Sequence, residues 1–431
     1  MKSIKEIHEC YLTCVDVVID TRKIIQDSLF VALKGANHDG NLFAQQALDL
    51  GAKYVLIDRK DCFIDERTIL VEDCLSALQS LARYHRDRLT FPVVGLTGSN
   101  GKTTTKELFH RVIQKKYNAK ATLGNLNNHI GVPLTLLRFT ADTEFGIVEM
   151  GANHQQEIAF LSEIAKPDLG YITNFGKAHL EGFGGVEGVI KGKSELYDFI
   201  KESHGKLLIN MDDSIQNEKT KDLDRITFGI SNTQADFVFA FHLQDSFVVL
   251  SHNGVTFHSN LIGKYNATNL AAAITLGIHY GVDLIDIKDA IEAYHPDNNR
   301  SQLLVHGGHQ IILDAYNANP SSMEVALQNF EAMQHSHKVM ILGDMFELGE
   351  DSVSEHLKIA SLATQLAKIK AFFVGEHFFK VSHKIGQSDS YFFPDFSSFV
   401  KELDKLSLPQ SLILIKGSRG MALERVLDYL K

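Results

Sequence analysis

The run Thr97-Gly98-Ser99-Asn100-Gly101-Lys102-Thr103-Thr104 places two glycines, a lysine and several hydroxyls side by side. Those types suit a polyphosphate. Glycines let successive backbone N–H groups turn toward phosphate oxygens, a lysine adds a cation, and the next hydroxyl can ligate Mg2+. The strict pattern G-x-x-x-x-G-K-[ST] would want glycine at position 96, where the chain has Leu96. Context therefore carries the reading: a β-rich run from Phe91 precedes the loop and a Thr/Lys-rich helix start follows it, the order of a phosphate-binding unit. The helix dipole would add to anion binding. Mg2+ prefers oxygen ligands and keeps waters, so a partner carboxylate is expected nearby. Glu149 ends the strand candidate Phe145 to Met150, and the carboxyl end of a parallel strand faces the ligand crevice. Taken alone, Glu149 is equally an exposed strand-end residue.

These residues need a sheet to hold them. Buried-strand candidates at Phe145 to Met150, Leu169 to Thr173 and Leu207 to Asn210, separated by helical patterns, predict parallel crossovers around the loop. Phe237 to Phe257 reads instead as antiparallel strands turning at Asn253-Gly254. Helices follow over Asn266 to Tyr280 and Leu284 to Tyr294. Beyond Pro296 the alternation restarts, with strands expected at Gln310 to Ala315, Val339 to Gly343, Ala371 to Gly375 and Ser411 to Lys416. Before the loop, short apolar runs such as Leu29 to Leu33 and Tyr54 to Ile57 predict a small α/β unit. The expected organisation is α/β in three domains: residues 1–88, a small N-terminal domain; 89–299, a central parallel-sheet domain like that of P-loop ATPases; and 300–431, a Rossmann-like, doubly wound domain.

Composition narrows the partners. At 431 residues, with 44% apolar and 22% charged side chains, the chain can bury several cores. A net charge of -10 argues against holding duplex nucleic acid by counterion release. Met1 to Arg22 lacks the uninterrupted apolar segment of a secretory signal, and no stretch reaches the length of a membrane span. The four cysteines, Cys10, Cys14, Cys62 and Cys74, show no C-x-x-C spacing, so reduced thiols and a cytoplasmic setting are expected.

Blocks along nearly the whole chain resemble the Mur ligase superfamily. They are G-L-T-G-S-N-G-K-T-T-T from Gly95, N-L-N-N-H-I-G-V-P from Asn125, E-M-G-A-N-H from Glu149, T-N-F-G-K-A-H from Thr173, G-K-S-E-L from Gly192, N-A-T-N-L-A-A-A from Asn266 and K-G-S-R from Lys416. D-A-Y-N-A-N-P-S-S-M from Asp314 and G-D-M-F-E-L-G from Gly343 are similar to its MurF branch. Members of that branch use ATP to join D-alanyl-D-alanine to UDP-MurNAc-tripeptide through an acyl phosphate, in peptidoglycan precursor synthesis.

The resemblance implies roles residue by residue. Lys102 would hold the ATP phosphates within Thr97 to Thr104; Thr103 and Glu149 would bind one Mg2+ and His179 a second. Lys193 matches a lysine carbamylated by CO2, which makes a cation into an anionic metal ligand; Lys191 stands two residues earlier as a rival, and Ser194 replaces the usual Gly. Asn266 and Asn269 resemble the block beside the adenine. Arg300 would reach the phosphates, although Asn299 replaces the Gly common before it. Asp314, Tyr316 and Asn317 would face the nucleotide and the incoming amine. Asp344 to Glu347, His356, Lys416 and Arg419 are candidates for the D-alanyl-D-alanine pocket, and Asn127 and Asn128 are candidate substrate residues. Thr21, where the family usually has Ser, with Arg22 and Asp39, resembles the uridine-diphosphate site. Small-molecule substrates, no nucleic acid, no membrane insertion and a monomer are implied. The alternatives are a sister ligase adding one amino acid, as in folate polyglutamylation, and a nucleotide-gated binding protein. No guanine-reading N-K-x-D block supports the latter.

Overall fold

The computed structural model describes residues 2–430 apart from 298, 367, 387, 388, 404 and 407. The phosphate loop leaves the middle of a seven-stranded parallel sheet, in the order Phe237–Val238, Arg225–Gly229, Lys206–Asn210, Leu169–Ile172, Val93–Thr97, Phe145–Glu149, Ala119–Ala121. From Val93–Thr97 the chain first builds one flank and then crosses to the other. That change of direction is the switch point at which such sheets open a crevice. Strands buried on both faces need apolar side chains throughout, and Val93, Val94, Leu96, Ile147, Val148, Tyr171 and Ile172 are all buried.

Residues before this sheet form a four-stranded parallel sheet ordered Val17–Val18, Ser28–Val31, Ala52–Ile57, Thr68–Leu70. Residues after it form a six-stranded sheet ordered Gln302–His306, His309–Asp314, Leu412–Lys416, Lys338–Gly343, Ile369–Val374, Ser390–Phe393. In this last sheet only the Gln302–His306 edge is antiparallel. The fold is α/β with a doubly wound C-terminal sheet, as the sequence predicts.

Two details differ from the sequence reading. The antiparallel strands cover Ala240–Gln244, Phe247–His252 and Val255–Ile262, while Phe237–Val238 instead extends the central sheet in parallel. Phe237 and Phe239, two residues apart in one apolar run, pack into the same cluster although the chain changes sheets between them, so apolar periodicity could not separate the two sheets. The Gln302–His306 strand was not expected; its exposed positions hide the pattern, although Gly307-Gly308, both at positive φ, is a hairpin turn signal. Asn253 and Gly254 take positive φ, as their expected turn requires.

The N-terminal unit is tied to the central one by a buried relay. The His85 Nε2–H donates to the Phe139 carbonyl at 2.7 Å, because a carbonyl can only accept; His85 Nδ1 is then left to accept from His8 Nε2 at 3.1 Å. Tyr11 donates to the Leu137 carbonyl at 2.7 Å. Burial, reinforced by His85 and Arg88, pushes His8 down to about 4, and burial also lowers His85. Between the ordinary histidine range and these lowered values the unfolded chain binds protons that the folded one refuses. Stability should therefore fall as pH drops from about 6.5 toward 4 and be flat above. His8→Gln, whose amide still donates but does not titrate, should give a shallower decline in unfolding midpoint over that window; an unchanged slope would remove His8 as its cause.

Candidate active site

The loop after Val93–Thr97 depends on two glycines. Gly98 sits at φ 143°, and a Cβ there would lie 1.9 Å from Thr173 Oγ1. Gly101 sits at φ 81°, where a Cβ would meet the Asn269 amide at 2.8 Å. Both positions combine a left-handed backbone with no room, so only glycine fits. Thr173 and Asn174 donate to the Asn100 carbonyl at 2.5 and 2.9 Å and hold the loop from the neighbouring strand. The helix Lys102–Ile113 then begins, and Lys102 Nζ donates back to the Gly98 carbonyl at 2.7 Å. Burial pushes Lys102 down to about 8, against the attraction of Glu149.

Glu149 arrives on the adjacent strand. Its Oε1 accepts from Asn127 Nδ2 at 2.8 Å and from the Thr103 hydroxyl at 3.3 Å; its Oε2 is buried with no partner among the described residues. A buried carboxylate oxygen left unpaired costs free energy unless something cationic meets it. The donor set fits a hard cation: a hydroxyl, a carboxylate and, on the same cavity, the His179 imidazole. Among the described residues no cluster of three or more His, Cys, Asp or Glu side chains forms, so substrate oxygens and water would complete any coordination shell.

A cavity of about 780 Å³ gathers most of the residues singled out in the sequence. Ser99 to Thr104, Glu149, Asn127, Asn128 and His179 line it from one side, with Asn266 and Asn269. Arg300, Asp314, Tyr316, Asn317 and Lys416 line it from the other. The second group is prearranged: Asp314 and Lys416 are register partners on adjacent strands and pair at 2.5 Å, and the Arg300 guanidinium stacks 3.8 Å from the Tyr316 ring centre. Asn269 donates to Asn266, which donates to the Ile262 carbonyl, so the helix Asn266–His279 presents both amides fixed.

Other positions lie outside the cavity lining. Thr97 ends the strand Val93–Thr97 and Gly98 opens the loop after it. Lys193, on the helix Val186–Glu202, is only 1% exposed and sits 5.1 Å from the Phe183 ring centre, with no hydrogen-bond partner among the described residues. Burial, and then the nearby Lys102 charge, push its amine well down. Thr21, Arg22 and Asp39 are on the N-terminal unit, away from this cavity. Arg22 is exposed and forked onto Asp20, at 2.9 and 2.7 Å, and Asp39 accepts from Asn41 and Arg59. Arg419 is exposed and pairs with Glu424. Asp344 and His356 are buried and engaged with the backbone: Asp344 caps the helix Glu376–Val381 by accepting from His377 and Phe378 N–H at 2.9 Å, and His356 Nε2 accepts from Met345 N–H at 3.0 Å. The structure thus gives these two a scaffolding place rather than a position on the cavity wall.

Sequence reasoning passed over residues that the geometry brings in. Lys106, a fully buried cation one turn after Lys102, donates to the Gly124 carbonyl at 3.1 Å and steadies the loop bearing Asn127 and Asn128. Its i, i+4 spacing from Lys102 was the available signal. Asn319 donates to Asn100 at 2.7 Å, and Ser321 accepts from the Lys177 N–H at 2.8 Å, joining the C-terminal unit to the phosphate loop. Nothing local marks such contacts, because their partners are more than a hundred residues away.

Comparison with known proteins agrees with this geometry. Family models described as Mur ligase family, catalytic domain, Mur ligase middle domain, and Mur ligase, glutamate ligase domain match residues 15–86, 96–277 and 299–419. The UDP-N-acetylmuramoyl-tripeptide–D-alanyl-D-alanine ligase of Bacillus subtilis is 35% identical, over 96% of this chain and 92% of its own. That of Escherichia coli is 33% identical, over 99% and 96%. A crystal structure of MurF from Acinetobacter baumannii superposes with a TM-score of 0.86 at 29% identity, covering 99% of this chain and 98% of that one. MurF from Thermotoga maritima in complex with ADP gives 0.83 at 26%, covering 100% and 98%. A Mycobacterium tuberculosis folylpolyglutamate synthase shares the fold alone, at 12% identity and a TM-score of 0.62. With full-length relatives above 30% identity and its phosphate loop, Glu149 and the Asp314–Lys416 pair on one cavity, this chain belongs to the Mur ligase family, on its MurF branch.

Proposed function

We propose that the protein joins D-alanyl-D-alanine to UDP-MurNAc-tripeptide at the expense of ATP. The observation that carries this is the single cavity onto which a phosphate loop and a second α/β crevice both open. An amide synthesis driven by ATP needs that arrangement: phosphate and acceptor acid on one wall, the incoming amine on the other.

A carboxylate is a poor acyl donor because its leaving group would be oxide. In the proposed reaction the tripeptide carboxylate oxygen attacks the γ-phosphorus, the bond to ADP breaks, and an acyl phosphate results. The amine of D-alanyl-D-alanine then adds to that carbonyl, loses a proton and expels phosphate. The protein's share is positioning and charge. Lys102, at the loop carbonyls, would follow the transferring phosphoryl group. Thr103, Glu149 and His179 would hold Mg2+, which when bound offsets the negative charge of phosphate and carboxylate brought together. Arg300 would meet the phosphates from the hinge, Asn266 and Asn269 would flank the base, and Asp314, Tyr316 and Asn317 would border the amine, with Lys416 as the paired cation. Lys193 would take up CO2: its neutral amine forms the N–C bond, releases a proton, and becomes an anion facing Lys102. The N-terminal unit would bind the uridine diphosphate through Thr21, Arg22 and Asp39.

No described helix is long and apolar enough to cross a membrane, and the four cysteines are free thiols, in keeping with a cytoplasmic place for this reaction. ADP release from purified protein should need UDP-MurNAc-tripeptide and D-alanyl-D-alanine together. Equal turnover with free amino acids in place of the dipeptide would favour a sister ligase, and no turnover with any acceptor would leave only nucleotide binding.

A further inference from the structure

The loop after Lys338–Gly343 reaches across to the central unit and touches His179. His179 Nδ1 hydrogen-bonds to Glu347 Oε2, and the Glu347 carbonyl accepts from the Glu181 N–H at 3.4 Å. A carboxylate can only accept, so the imidazole donates from Nδ1, and the neutral ring in that tautomer carries its lone pair on Nε2. That is the tautomer a metal ion binds, and a carboxylate behind a ligating imidazole both fixes the ring and raises its basicity. We infer that Glu347, supplied by the C-terminal unit, is a positioning residue for His179, so that docking of this unit completes the metal site of the central one.

The loop is built to aim this side chain. Glu347 lies at φ 61°, a backbone region that non-glycine residues enter only when their surroundings require it. Those surroundings are the buried groups that touch no substrate wall. Asp344 caps the next helix, His356 accepts from Met345 N–H, and Ser418 Oγ accepts from Phe346 N–H at 3.0 Å. On the opposite side His179 is itself left-handed, at φ 53°, ahead of a turn in which Gly182 has no space for a Cβ, 2.2 Å from the Asn153 carbonyl. Two constrained turns thus meet at Glu347, through its side chain and its carbonyl. A second ion pair between the units, Lys177 with Glu355 at 2.5 Å, includes no candidate metal ligand and provides the control.

The inference rests on the reading of His179 as a metal ligand, and the experiment separates the two. Mn2+ would be titrated into the full chain holding a non-hydrolysable ATP analogue and UDP-MurNAc-tripeptide, with free Mn2+ followed by electron paramagnetic resonance. Wild type should bind two ions and His179→Ala should lose one; if His179→Ala binds like wild type, the metal reading falls and this inference with it. With that reading intact, Glu347→Ala should weaken the His179-dependent ion by about tenfold or more. Glu347→Gln, which keeps an acceptor at the same reach, should recover part of the loss, and Glu355→Gln should leave both ions as in wild type. Wild-type binding in Glu347→Ala, or an equal loss in Glu355→Gln, would overturn the role assigned to Glu347, the latter by showing that any loosening of the two units has the same effect.

Discussion

Lys102→Ala is expected to lower ligation by roughly 10³-fold, the scale on which removal of one preorganised charge-stabilising group from a water-poor site acts. The lysine spans the loop from inside, donating to the Gly98 carbonyl, and burial has already depressed its charge. A bound triphosphate would restore that charge at the place where the transferring group becomes most negative. Lys102→Arg should recover little, because a planar guanidinium cannot occupy the slot between the Gly98 and Ser99 carbonyls that a single ammonium fills at 2.7 and 3.5 Å. Steady-state ADP release with all three substrates measures the effect, and nucleotide binding in the same variants shows whether chemistry or affinity is lost. Turnover of Lys102→Ala within a fewfold of wild type would defeat the assignment of this loop.

The second large effect is expected at Lys193. A lysine 1% exposed, with a cation for a neighbour and no hydrogen-bond partner among the described residues, is poorly placed as an ammonium. Burial and Lys102 both favour the neutral amine, the form that adds to CO2. Carbamylation would then turn an unfavourable cation into an anion beside Lys102. Lys193→Ala should lose about 10²-fold or more in turnover, as when a group orienting a metal site is removed. Formate or acetate should restore part of it by occupying the vacated space with a carboxylate. The pH dependence has a definite sign: with CO2 held constant, lowering the pH protonates the amine and should slow reactivation of CO2-depleted protein. Rescue of Lys193→Ala by neutral amides as effective as that by carboxylates would rule out the anion.

The central strands were legible because burial on both faces demands unbroken apolar runs, and Val93–Thr97, Phe145–Glu149 and Leu169–Ile172 have them. The phosphate loop was legible because Gly98 and Gly101 answer a local backbone need. His179 and Lys193 carry no such local mark. An isolated imidazole or a helix lysine looks ordinary in sequence, and only the surrounding blocks singled them out. Asp344 and His356 illustrate the opposite difficulty: polar residues in a distinctive block suggest contact with substrate, whereas here they satisfy backbone N–H groups that a tight loop leaves open. Glu347, in the same block, points the other way because of a backbone angle that no pattern of residue types displays.

The covalent path from the central sheet to the last one runs once, through the short segment that ends in Asn299, Arg300 and Ser301. A tether of that length keeps the two halves at an effective concentration in the millimolar range. Their meeting is consequently an internal event that dilution cannot weaken, and weak individual contacts such as Asn319 to Asn100 suffice to sustain it.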